Sequence, residues 1–247
     1  MKLLVIVICL LSERFLMHSM SYQRFSWFAD YAKRILQLDE KSTYLKSPWL
    51  KLATIVLPIV ITSAIIYCAL YSIIFGFAGL ILSIIIFFYC LGPQNAFYPV
   101  TEKEVKQPQI GHYFALVNSQ LFAVIFWYIL AGPIAIIAYR LISLSQTIPA
   151  VHTEARQATN ILEWLPARLT AILYLLVGNF QQGFVSLRQY LLASPEKNDT
   201  LLSECGLQAV RTNPDEEIPM PVAETLVEQA TIVLLVMIAL FTLAAWM

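Results

Sequence analysis

The residues of this chain best placed to do chemistry lie between Arg140 and Arg168. Glu154 to Glu163 is compatible with a helix, and Arg156, Thr159, Asn160 and Glu163 recur every three or four residues, which puts them on one face. Such a face is costly against lipid unless it binds something or pairs internally. The alternative is a solvated face of a connecting helix. Pro166 fits the first position of a new helix, where its missing N–H does no harm. Arg168 then falls in the first turn, where it and the N-terminal amides can hold an anion. It can equally snorkel to the interface or pair with Glu163. Arg140 ends an apolar stretch and is either a ligand contact or a partner for a helix C-terminal dipole.

A second polar pair, Glu13 and Arg14, follows an apolar run at the N-terminus. If Met1 to Met17 is one inserted helix, both residues lie near or within the membrane and need partners, which makes them functional candidates. If the helix ends at Leu11 they are boundary residues. The run resembles a secretory signal but lacks a small-residue cleavage site, so it is expected to be retained, and Cys9 lacks the small preceding residue that lipidation requires. Cys9, Cys68, Cys90 and Cys205 form no close pair, and His18, His112 and His152 are scattered, so no disulfide framework and no metal site is expected. There is no phosphate-cradling glycine loop and no nucleophile elbow. No cofactor and no catalytic residue is assigned.

The elements that must position these residues are hydrophobic. Of the 247 residues 59% are hydrophobic and 13% charged, and the mean hydropathy of +0.69 is more than a water-facing surface tolerates. The formal net charge of zero gives nucleic-acid binding no support. Lys51–Tyr71 and Ser72–Leu91 are each long enough to cross a hydrocarbon core of about 30 Å. Pro58 is tolerable in the first, and Gly76 and Gly79 allow close packing in the second. Leu121–Ile142 is a third span that Pro133 should bend or interrupt. Ala167–Val177 is too short to cross alone; it either extends to about Phe184 or forms a tilted or re-entrant helix. Glu228–Met247 is the last span, with Trp246 as an interface anchor.

The pattern therefore predicts an all-α, polytopic transmembrane helical bundle of about four to five spans with amphipathic and short soluble helices. Residues 1–247 read as one membrane domain. Within it, residues 12–50 read as a cytoplasmic amphipathic segment on the membrane surface, because basic residues from Arg14 to Lys51 accompany Trp27, Phe28, Ile35 and Leu38 at helical spacing. The stretch from Gly92 to Gln120 reads as a loop, and residues 181–227 as a soluble helical loop before the last span.

Two blocks carry a resemblance to a known family. Leu121–Pro133, followed by Ala138-Tyr139-Arg140, and the later Glu163-Trp164-Leu165-Pro166-Ala167-Arg168-Leu169-Thr170 resemble the membrane core shared by AmpE proteins and the CbiB/CobD cobinamide-phosphate synthases. The two blocks cover about a fifth of the chain. The synthases carry an Asn-Thr-Leu-Asp-Ser-Met-like run after the Tyr-Arg pair, where this chain has Ser143-Leu144-Ser145-Gln146-Thr147, and an acidic pair where it has Thr159 and Asn160. An ATP-dependent ligation needs Mg²⁺ held by such acids. Glu163 before Trp164 and the Glu13-Arg14 pair resemble the AmpE branch instead.

The resemblance implies a multi-pass bacterial inner-membrane signalling protein linked to β-lactamase induction and cell-wall recycling, without catalytic activity. A cobinamide-phosphate synthase-like enzyme is the alternative. The expected partners are the lipid bilayer and an anionic small molecule or muropeptide, with a homo-oligomer left open and no nucleic acid. The ligand-binding candidates are Glu13, Arg14, Arg140, Asn160, Glu163 and Arg168.

Overall fold

A computed structural model of the chain describes residues 2–15, 24–39, 47–71, 77–91, 107–211 and 218–244. Helices account for most of them, and no strand occurs among the described residues. In chain order they are α1 (Lys2–Phe15), α2 (Ser26–Asp39), α3 (Pro48–Tyr71), α4 (Phe77–Cys90), α5 (Gln107–Val117), a π-turn (Asn118–Phe122), α6 (Ala123–Ala131), α7 (Pro133–Ser145), α8 (His152–Val177), α9 (Phe180–Tyr190), a 3₁₀ turn (Pro195–Lys197), α10 (Asn198–Val210) and α11 (Met220–Ala244). Among the described residues four helical stretches are long and apolar enough to cross a membrane: Pro48–Tyr71, Ile110–Ala131, His152–Val177 and Met220–Ala244.

Several expected boundaries move. Residues 107–120, read as loop, are helical, so the third apolar helix begins well before Leu121 and ends at Ala131. The interruption expected at Pro133 is present: Gly132 takes φ 84°, a conformation that L side chains avoid, and Pro133 opens α7 as its first residue. Pro166, by contrast, starts nothing. It lies inside the continuous α8, so Ala167–Val177 is the second half of a 26-residue helix rather than a short separate one. The last helix starts at Met220, eight residues before the expected Glu228. The second expected span is represented by the 14-residue α4, and α1 runs on past Leu11 to Phe15.

The chain divides into two compact units, Met1–Pro93 with Val124–Leu162, and Gln94–Ala123 with Glu163–Met247. In the first, α4 packs on α1, α3 and α7, and α3 packs on α7 and α2. Gly79 lets α4 lie against Tyr71 of α3, where a Cβ would come within 2.9 Å of the ring. The core joins Phe28 and Ala32 of α2 to Leu52, Ile55 and Val56 of α3 and to Leu141, Ile148, Val151 and Ala155. Phe28 and Ala32 of the apolar face of α2 thus pack on protein, while Trp27 on the same helix stays exposed. Apolar residues such as Ile61, Ile65, Ile81 and Ile85 remain exposed on the outside of α3 and α4.

In the second unit α10 is central, packing on α5, α9 and α11. Its Gly206 admits the ring of Phe114, which would overlap any Cβ there. Ser203 Oγ donates to Gly111 O at 2.9 Å. Asn179 caps α9 by accepting from Gln182 N, while its own N–H donates to Ala209 O at 2.8 Å. Residues 232–244 of α11 carry an exposed apolar surface that includes Ile232, Leu240 and Phe241.

Candidate functional site

Arg168 in the second unit is 4% exposed. Its Nε donates to Leu191 O at 3.1 Å, one terminal nitrogen to Trp164 O at 2.9 Å and to Asn198 Oδ1, and the other to Ala193 O at 2.9 Å and Tyr190 O at 3.4 Å. All five N–H groups of the guanidinium are thereby engaged, and none goes to Glu163. The indole of Trp164 lies under the cation at 4.4 Å and donates its Nε1–H to Ala193 O at 3.0 Å. The Trp164–Arg168 turn thus fastens the connection between α9 and α10. A ligand anion reaching Arg168 has to displace one of these acceptors. The N-terminal amides expected from a helix starting at Pro166 are not there, because α8 runs through that residue.

The polar face expected over 156–163 splits. Thr159 and Glu163 are buried, Asn160 is half-buried and Arg156 is exposed, so the solvated reading holds for Arg156 and fails for the buried pair. Thr159 Oγ1 satisfies itself on Ala155 O at 2.8 Å. A site that sequence reasoning missed lies nearby in α8: Thr170 Oγ1 donates to Oδ1 of the fully buried Asn118 at 2.9 Å, and Asn118 Nδ2 has no partner. Asn118 opens the π-turn, where the widened backbone leaves the ordinary hydrogen-bond ladder. The sequence signal was a polar Asn-Ser-Gln triplet, which reads as loop.

Arg140 and Asn160 belong to the first unit. The Arg140 side chain, 3% exposed, donates from Nε and a terminal nitrogen to Cys90 O at 2.8 and 2.6 Å. Arg24 donates to Phe88 O at 2.8 Å and Leu91 O at 2.9 Å, with its guanidinium 4.3 Å from the Phe88 ring. Two arginines thus cap the carboxyl end of α4, whose last carbonyls lack helical donors and carry partial negative charge. The dipole role open to Arg140 is realised on α4 rather than on its own helix. Tyr89 joins this layer, donating from its hydroxyl to Arg24 O and accepting from Trp27 Nε1 at 2.7 Å.

Arg140 also lines a cavity of about 180 Å³ in this unit, walled by Phe25, Ile59, Ile85, Ile86 and Ile137, with Ser63 and Tyr89 as further polar groups. A second cavity of about 210 Å³ is lined by Lys2, Tyr67, Tyr71, Ser83 and Tyr128, and Lys2 Nζ donates to Ile129 O at 2.7 Å. Glu13 and Arg14 contribute helical backbone to α1, and their side chains lie outside the described residues.

Four long apolar helices and the exposed apolar surfaces of α3, α4 and α11 define an all-helical membrane protein. Residues 102–246 match the family described as regulatory signalling modulator protein AmpE, and the chain belongs to that family. The matched region contains Arg140, Asn160, Glu163 and Arg168. Comparison with curated proteins and with solved structures gives no match.

Proposed function

We propose that the protein is a multi-pass bacterial inner-membrane regulator that takes part in β-lactamase induction and in sensing cell-wall recycling. The observation carrying this reading is the family match over 102–246, which names a regulatory signalling modulator. Within the matched region, Trp164 and Arg168 of the signature block hold the connection between α9 and α10 through neutral acceptors. The ligand this role calls for is an anionic small molecule of the muropeptide class.

The test is a deletion strain in a host with an inducible β-lactamase. Loss of the protein is expected to change the induced enzyme level and the muropeptide pool, with both restored by the full-length chain. Unchanged induction together with an unchanged pool removes the proposal.

A further inference from the structure

We propose that the second half of α8 and all of α9 form a hairpin that lies in the membrane–water interface instead of crossing the bilayer, with Leu169 and Phe184 turned to the acyl chains and the lipid surface as its partner. This goes beyond the regulatory reading and stands without it.

The first support is the pairing. From Trp164 to Val177 α8 runs one way, the chain reverses at Gly178 and Asn179, and α9 returns beside it. Gly183 lies against the Leu175 side chain, Arg168 donates to the carbonyls of Tyr190, Leu191 and Ala193, and Trp164 donates to Ala193 O. Later residues of the second arm thus meet earlier residues of the first, as an antiparallel pair requires. At the tip, Asn179 N–H donates to Ala209 O at 2.8 Å.

The second support is that the hairpin is too polar for hydrocarbon. Its return arm α9 has 11 residues and covers about 16 Å, roughly half of a hydrocarbon core. If α8 crossed, the level of Arg168 would lie inside that core. Asn198, which accepts from Arg168, would lie there too, flanked by the exposed Lys197 and Asp199. Gln182, Arg188 and Gln189 are also exposed on α9. Hydrocarbon tolerates neither exposed charges nor the irregular backbone that joins α9 to α10.

The third support is that the hairpin is too apolar for water. Leu165, Leu169 and Leu176 are exposed along one face of α8, and Phe180, Phe184 and Leu191 along one side of α9, opposite Gln182 and Gln189. The rings of Phe180 and Phe184 stack at 5.4 Å, and Leu192 is 87% exposed. The charged residue of α9 is Arg188, whose stem can lie on lipid while its head reaches the phosphates. An apolar side, a polar side and basic charge together make an interfacial helix.

The test places one spin label at a time in the full-length chain, at Leu169→Cys, Phe184→Cys, Gln182→Cys or Gln189→Cys. Cys68→Ser accompanies each, because Cys68 is exposed while Cys9, Cys90 and Cys205 are buried. In vesicles of phosphatidylcholine and phosphatidylglycerol, electron paramagnetic resonance reads collisions of the label with oxygen, which concentrates in lipid, and with a water-soluble nickel chelate. Labels at Leu169 and Phe184 are expected to meet mainly oxygen, at a depth of about 5–10 Å, and those at Gln182 and Gln189 mainly the chelate. Chelate dominance at all four positions overturns the proposal in favour of a surface bathed in water. Oxygen dominance at all four overturns it in favour of a hairpin immersed in hydrocarbon. Shielding of Leu169 and Phe184 from both reagents overturns it in favour of a protein partner, which spin–spin broadening would identify as a second copy of this chain.

Discussion

Arg168 shows how a residue with the chemistry of a ligand contact can be a structural fastener. Its planar fork reaches four carbonyls and the Asn198 amide from one position on α8, which no other side chain can do. Arg168→Ala strands these acceptors and should destabilise the second unit by about 3 kcal/mol, read as a fall in unfolding temperature in detergent. Arg168→Lys should recover less than half, because an ammonium cannot span the same acceptors. Full stability in Arg168→Ala with altered function would instead return Arg168 to ligand binding. Cys205 offers a second test. It is completely buried in α10, and burial, followed by the charge of Glu204, pushes its thiol up to about 12 from an ordinary 9.0. The stabilisation of the neutral thiol is complete below pH 9.0 and is lost as pH rises towards 12, because the unfolded chain ionises first. Cys205→Ala should therefore flatten the alkaline fall in stability between those values.

At the scale of the element, two prolines behave differently for a backbone reason. Before Pro133 stands Gly132, which takes φ 84° and breaks the helix. Leu165 before Pro166 cannot take that conformation at low cost, and α8 continues through the proline. Gly132→Ala should cost about 1–3 kcal/mol from backbone strain alone, since a Cβ there meets nothing within 4 Å. An unchanged unfolding temperature in that variant would show that the break does not depend on glycine. The residues preceding Leu121 illustrate the opposite error. Gly111, His112, Asn118, Ser119 and Gln120 have loop-like composition. They are helical because α10 packs on α5, Ser203 donates to Gly111 O, and Thr170 meets Asn118.

At the scale of the whole molecule, the membrane assignment rests on length and composition, and the direction of insertion rests on charge. Basic residues from Arg14 to Lys51 accompany the first helices, and from the positive-inside tendency we propose that this segment is cytoplasmic. A reporter fused after residue 20 should fluoresce as a cytoplasmic fluorescent protein and be inactive as a periplasm-dependent phosphatase. The reverse pattern would invert the proposed topology. The family match spans 102–246 and leaves the first hundred residues outside it, so the Arg24, Trp27 and Tyr89 layer is a feature that family membership by itself does not supply.

By itself the sequence determined that the chain is helical and apolar enough for a membrane, that it breaks at Gly132-Pro133, and that its signature residues resemble one family. These follow from local quantities: hydrocarbon per turn, the dihedral freedom of glycine, and residue types in order. Only the tertiary structure decided what the polar residues do. Trp164 and Arg168 share an acceptor in Ala193, and Arg140 turns to the end of α4. A buried donor takes whichever acceptor the fold brings within reach, and apart from Trp164 O, four residues from Arg168, the acceptors named for these two arginines come from segments at least twenty residues away along the chain, such as Leu191 and Cys90. Helical spacing orders the faces of one helix and carries no information about which distant carbonyl will arrive there.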